Sequence, residues 1–206
     1  LIRRRETISD ERRQQIIDGA LKVFSTKGFL QATNKDVAEA AGINSAGLIY
    51  HYFADKAGLL RAVIERYAPP LQLLTQSDEF MALPVPAALT RFGLAYLQLM
   101  DDSKVGACLR VLIAEALYNE EFARIFGEIG PLRVWRMFAD YFAHKMEEGA
   151  LRRIDPAIAA RCFVGPLVLH MMARKIFHLT DTSDLDSEAL VRANVEIFVR
   201  GMKPEI

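Results

Sequence analysis

Residues 34–53 read NKDVAEAAGINSAGLIYHYF, and this stretch decides the fold. Val37, Ala38 and Ala41 recur at helical spacing, Gly42 stops that helix, and a second helical run of about six residues follows, from about Ser45 through Tyr50. So short a helix is far below the ~12–15 residues at which isolated helices become even marginal. It has to be held by its neighbours. A helix, a glycine turn and a second, dependent helix have the shape of a helix-turn-helix, whose second helix lies in the DNA major groove while the first crosses the backbone.

Upstream, Ser9 is a candidate N-cap, with Asp10 and Glu11 where carboxylates suit the helix dipole. The helix it opens carries Ile16, Ile17, Ala20, Leu21 and Phe24 on one stripe and stops at Gly28, after Lys27. Thr33 caps the next helix, with Asp36 at the capping-box position. A fourth opens at Asp55, buries Leu59, Leu60, Val63, Ile64 and Tyr67, and ends or kinks at Pro69-Pro70.

After a loop around Gln76–Pro84, five more helical segments follow. Pro86 sits in the first turn of one with Leu89, Phe92, Tyr96, Leu97 and Met100 on a stripe. The next carries Val105, Cys108, Leu109, Leu112, Ile113 and Ala116. A longer one from Phe122 to Met146 is interrupted at Gly130-Pro131. Asp155-Pro156 caps a helix to about His178, broken at Gly165-Pro166, and a last segment runs from Asp186 to about Met202. Alternating β-branched runs with Asn-Gly or Asp-Gly turns are missing, so the chain reads all-α with about nine helices.

The 206 residues include 26 Lys+Arg and 26 Asp+Glu, and 51% are hydrophobic. That composition describes a folded chain and argues against coating nucleic acid or an anionic membrane by bulk charge. The zero is a cancellation: residues 1–67 hold 11 basic and 8 acidic side chains, a net +3, and the remaining 139 carry −3. No apolar run reaches the ~18 residues of a membrane helix, and the start, LIRRRETISDERR, lacks a signal-peptide core. A cytoplasmic protein is expected, with no membrane partner. Its first residue is Leu rather than Met, so a few residues are expected to precede it. Cys108 and Cys162 sit far apart in apolar helical patterns and read as buried thiols.

Residues 26–60, TKGFLQATNKDVAEAAGINSAGLIYHYFADKAGLL, resemble the N-terminal domain of TetR/AcrR-family transcriptional regulators. The matching positions are Gly28, Thr33, Val37-Ala38, Ala41-Gly42, Gly47, Ile49-Tyr50, Phe53, Lys56 and Leu59, within a likeness covering about residues 10–65. Three departures stand out. Asn34 replaces a second Thr, Tyr52 stands where His is common, and the Gly42–Tyr50 interval is one residue longer than usual. The last leaves the base-reading register open.

The resemblance implies a DNA-binding domain over residues 1–54 and a ligand-binding and dimerisation domain over 55–206, with 55–69 as linking helix. Thr33 and Asn34, at a helix N-terminus, suit a phosphate, and Lys56 fits a second phosphate clamp, as in similar family members. Tyr50, His51 and Tyr52 supply phosphate-directed donors. Ser45, Ala46, Gly47 and Leu48 face base edges, where small side chains permit close approach and apolar ones touch a thymine methyl. Plain core for Tyr50 and a solvated side chain for His51 stay open. Arg3, Arg4 and Arg5 fit either a flanking minor groove or a solubilising tail.

For the C-terminal region the family implies an effector site and dimerisation through the last two helices. Phe92, Tyr96, Met100, Leu112, Trp135, Phe138, Tyr141, Phe142, Phe163, His170 and Met171 make an inventory suited to an apolar cavity, although such stripes are also plain core. Glu115 and Arg110 are the charged candidates there, which favours a neutral or hydrophobic effector. Phe163, Leu167, Phe177, Leu190, Asn194, Ile197 and Phe198 suit a two-fold four-helix interface. The expected partners are a palindromic DNA operator, a second copy of the chain and a small-molecule effector. A regulator without a ligand, or one controlled by a partner protein, is the alternative. His51, His144, His170 and His178 form no metal-ligand or catalytic spacing, so no enzyme activity, metal or cofactor is expected.

Overall fold

The computed structural model describes residues 2–67, 77–98, 103–177, 179 and 186–204. Its helices are α1 (Ile2–Gln31), α2 (Asn34–Ala40), α3 (Gly47–Tyr52), α4 (Lys56–Tyr67), α5 (Ser77–Ala82), α6 (Val85–Gln98), α7 (Ser103–Tyr118), α8 (Glu120–Ile129), α9 (Pro131–Glu147), α10 (Pro156–Lys175) and α11 (Ser187–Gly201). No strand occurs among the described residues. The chain is all-α, as its spacing predicts. Eleven helices occur among the described residues, against about nine expected, because Gly130-Pro131 separates α8 from α9 and because α5 forms where a loop was expected. Asp78 and Glu79 favour the N-terminus of α5, and buried Phe80 anchors it.

Several boundaries differ from expectation for local reasons. α1 begins at Ile2, which puts Ser9 inside it, because residues 2–8 contain no Gly or Pro to stop it. Arg3, Arg4 and Arg5 are on that helix. Gly28 breaks α1 as expected, at φ 81 and ψ 171, but one more turn follows to Gln31. α10 runs through Gly165-Pro166 without a break. Pro166 leaves the Cys162 carbonyl without its helical N–H, but both residues lie on the exposed face, so that carbonyl is not trapped in the core. The same helix corrects the membrane reading, because Pro156–Arg174 is long and apolar enough to span a bilayer by length and composition. Here its Ala159, Ala160, Phe163, Val164 and Leu167 are core. Cys108 is buried, whereas Cys162 is exposed, contrary to expectation, because it lies on the outward face of α10. The expected Pro69-Pro70 kink, Met100 and His178 lie outside the described residues.

The chain divides into two compact units, Leu1–Tyr67 with Ser103–Ile129, and Ala68–Asp102 with Gly130–Ile206. In the first, α1 packs against α2, α4 and α7, and α8 packs on α7 and α4. Ile16, Ile17, Ala20 and Phe24 of α1 meet Val37 of α2, Ile49 of α3, Leu59 and Leu60 of α4, Leu112 of α7 and Phe122 of α8 in one core. Each large apolar side chain fully buried there contributes roughly 1.5–3 kcal/mol. This core is what holds the short α3.

In the second unit α10 packs on α9, and α11 packs on α6 and α10. Gly93 on α6 permits that approach: an added Cβ would stand 2.7 Å from Val191 Cγ1. Phe80, Phe92, Phe138, Tyr141, Phe142, Phe163 and Phe198 form a linked ring cluster with centroid separations from 4.7 to 6.3 Å. The Tyr141 hydroxyl donates to the Leu83 carbonyl at 2.9 Å.

Candidate nucleic-acid interface

The entry to α2 is a full capping box. Thr33 Oγ1 accepts from the Asp36 N–H at 3.2 Å, and Asp36 Oδ2 accepts from the Thr33 N–H at 3.0 Å and from its hydroxyl at 2.7 Å. The Lys27 ammonium bonds the other carboxylate oxygen. Those bonds, Lys27 first and Thr33 next, hold the Asp36 carboxyl at a pKa of about 2. The exit of α2 is equally fixed. Ile43 N–H donates to Ala38 O at 3.0 Å and Gly42 N–H to Glu39 O at 3.1 Å, with Gly42 at φ 66. This is a Schellman closure, and its left-handed residue is the reason for glycine.

From this turn the chain enters α3, where Ser45 Oγ accepts from the Gly47 N–H at 3.2 Å. Ile49 and Phe53 point into the core, and the Arg13 guanidinium lies 5.2 Å over the Phe53 ring. Ala46, Leu48 and Tyr52 pack partly against the core. Tyr50 is 64% exposed, which decides against the core reading for it. His51 is exposed and meets the Tyr52 ring edge-on at 5.2 Å. Asn44, Ser45, Gly47, Leu48 and His51 line one open recess of about 640 Å³ with Gly42, Ile43 and Arg12.

Lys56 is half-buried beneath this face. Its ammonium donates to the Leu30 and Ala32 carbonyls at 3.1 Å each and lies 4.7 Å over the Phe29 ring. An ammonium has three donors, and two are used here. Burial pulls the Lys56 pKa below its usual value, and the charge of Glu115 pulls the other way.

The structure thus brings Ser45, Gly47, Leu48 and His51 together on one recess, whereas Thr33 and Lys56 do not line it and are bonded within the protein. Sequence reasoning missed Arg12, Asn44 and Gly19. An added Cβ at Gly19 would stand 2.8 Å from the Ala41 nitrogen, so α1 and α2 cross there at main-chain distance. A small residue one turn after Ile16 on the buried stripe was the available signal.

The effector candidates are distributed differently. Phe92, Phe138, Tyr141, Phe142, Phe163, His170 and Met171 are buried in the second unit, with Tyr96 and Trp135 partly buried there. Leu112 belongs to the core of the first unit. Among the described residues His170 Nε2 is buried without a hydrogen-bond partner. Burial first, and then the Arg174 charge, lower its pKa, which favours the uncharged ring. Arg110 is exposed, and Glu115 points to α1. Phe163, Leu167 and Phe198 are buried within the protomer, and Asn194 donates to the Phe163 carbonyl at 3.0 Å. Leu190 is half-buried, whereas Phe177 and Ile197 are exposed. No group of three or more His, Cys, Asp or Glu placed to hold a metal occurs among the described residues.

Residues 16–63 match the family model of bacterial regulatory proteins of the tetR family, and residues 87–201, more than half the chain, match that of the AefR-like transcriptional repressor C-terminal domain. The chain belongs to the TetR family of transcriptional regulators. It is 34% identical over 152 residues to the HTH-type transcriptional regulator BetI of Burkholderia thailandensis, covering 72% of this chain and 76% of that protein. The flavonoid-responsive regulator FrrA has the same fold, with a TM-score of 0.64 and 26% identity over 95% of this chain and 98% of that one. FadR from Bacillus subtilis, solved in complex with stearoyl-CoA, matches with a TM-score of 0.68 and 20% identity over 92% and 98%. In this TetR-family regulator α2 and α3 are the helix-turn-helix, and the domain that contains them binds DNA.

Proposed function

We propose that this regulator is a cytoplasmic one-component repressor that binds a palindromic operator as a homodimer and is released by a small hydrophobic effector. The observation that carries the reading is the exposed recess joining Ser45, Gly47, Leu48 and His51 of the turn and α3 to Arg12. Small and polar side chains on a solvent-facing recognition helix permit close approach to base edges. Thr33, Asn34, Tyr50, Tyr52 and the third donor of Lys56 serve the phosphates. Residues 1–54 read DNA in this account, and 55–206 carry the effector and dimer functions, with 55–69 linking them.

Dimerisation uses the outward face of α10 and α11. Ile158, Leu169 and Ile197 are 55%, 65% and 72% exposed there, with Phe177 exposed just beyond α10, whereas the two helices meet through buried Phe163 and Phe198 and through Asn194. An isologous pairing of these faces sets two α3 helices about 34–36 Å apart, one turn of the duplex.

The aromatic unit supplies the effector site. Ring clusters suit apolar ligands, and the unpaired His170 nitrogen offers one neutral polar anchor. The rings stack on one another, so a ligand must displace ring contacts and thereby select another conformation. That closed packing also favours the competing reading, a regulator without a ligand or one controlled by a partner protein. Operator release titrated with long-chain acyl-CoA and with flavonoids separates the two. Release supports the effector reading, and unchanged DNA affinity with every compound favours the other.

A further inference from the structure

Glu115 lies on α7, inside the segment that matches the C-terminal family model, yet its carboxylate is bonded to α1 within the first compact unit. Oε2 accepts from the Phe29 N–H at 2.7 Å and Oε1 from the Leu30 N–H at 3.0 Å. These are first-turn amides of the short helical turn that restarts after the break at Gly28, and such amides have no carbonyl of their own helix to bond. The fit is close. A Cβ at residue 28 would meet Glu115 Oε1 and displace the carboxylate from these amides, and φ 81 by itself favours glycine there.

Lys56 of α4 takes the opposite pole of the same segment, through the carbonyls of Leu30 and Ala32. Residues 29–32 are therefore gripped by an anion from α7 on their N–H side and by a cation from α4 on their C=O side. The next residue is Thr33, the cap of α2. The grip therefore holds the segment that leads into α2, whose Val37 and Ala38 join the core.

We infer that Glu115 is a positioning residue through which α7 sets the helix-turn-helix for DNA, so that a movement of α7 reaches the reading helix directly as well as through α4. The inference rests on the DNA-binding reading. Glu115 contributes two of the four charge-assisted bonds that hold residues 29–32, and each is about twice as strong as its neutral counterpart.

Glu115→Gln keeps the side-chain shape but removes the charge and one of the two acceptors, since its NH2 group donates, and Glu115→Ala removes both bonds. The probe is a duplex recovered from a random pool by the wild-type full-length chain. E115Q is expected to bind it roughly tenfold more weakly, a loss of about 1.4 kcal/mol. The salt dependence should become shallower and the Phe29 and Leu30 amides should exchange faster; the thermal midpoint falls as these bonds weaken, so affinity is read well below it, where the chain stays folded. E115A is expected to lose more. A purely structural role would lower the midpoint and leave affinity and salt slope unchanged well below it. That result, or E115Q affinity within twofold of the wild type, overturns the inference alone. A wild-type chain that recovers no duplex overturns the DNA reading and this inference with it.

Discussion

Replacing Lys56 by methionine keeps the aliphatic stem over Phe29 and removes the ammonium. Two bonds are lost, to the Leu30 and Ala32 carbonyls at 3.1 Å each, together with the cation's place 4.7 Å above the Phe29 ring. A hydrogen bond to a charged group contributes about 1.5–3 kcal/mol when well buried, and the ring contact about 0.5–1 kcal/mol. The Leu30 carbonyl belongs to an exposed residue and regains water, so only the Ala32 bond and the ring contact count, each at the lower end of its range. The expected total is about 2 kcal/mol, and at roughly 2–4 °C per kcal/mol for a chain of this size the thermal midpoint falls by about 4–8 °C. The third donor adds a separate effect on DNA. K56M should weaken selected and random duplexes by the same factor and reduce the salt slope by about one per subunit. Scanning calorimetry reads the first effect, and fluorescence anisotropy over a salt series reads the second. A midpoint within 1 °C of the wild type would refute the staple, and a loss confined to one sequence would refute the phosphate role.

Gly19→Ala, which in an ordinary helix interior gains about 1 kcal/mol, should instead destabilise by about 1–3 kcal/mol, because the new Cβ meets the Ala41 main chain at 2.8 Å; a raised denaturation midpoint would contradict the crossing. The Asp36 carboxyl titrates near 2 instead of its usual 3.8, so its contribution is present above the higher value and is lost as pH falls toward the lower one. The difference in urea midpoint between wild type and Asp36→Asn should therefore shrink between those two values, and a constant difference would rule out the pairing with Lys27 and Thr33. Ile197→Asp, at a position 72% exposed within the protomer, should leave helicity intact while sedimentation shows a monomer; a persistent dimer would exclude that face.

The helix-turn-helix was legible because its determinants are local. The Thr33–Asp36 box, the Gly42 stop and the aromatic run after Gly47 each sit within a turn of their partners. The exposure of Tyr50 was not, since α3 is too short for periodicity to define a buried face. α10 read as broken because Gly165-Pro166 is a strong local signal, whereas its position on the outward face makes the lost bond tolerable. Least legible was Glu115. Its bond to Phe29 spans 86 residues, and its composition and helical position suit a pocket charge equally well. The placement of α7 and α8 beside α1 and α4 follows from Cys108, Leu112, Phe122 and Ile129 joining the core of the N-terminal helices, a long-range match that no local pattern encodes.

The central claim is that this chain reads DNA with α3, as a dimer, through a few positioned donors on a chain with no net charge. Selection of duplexes from a random pool by the purified full-length chain, followed by affinity measurements at several salt concentrations, tests it most directly. The expected result is a palindromic consensus with half-sites one helical turn apart and log K falling linearly with log salt. Absence of a consensus, or binding indifferent to salt, would contradict it.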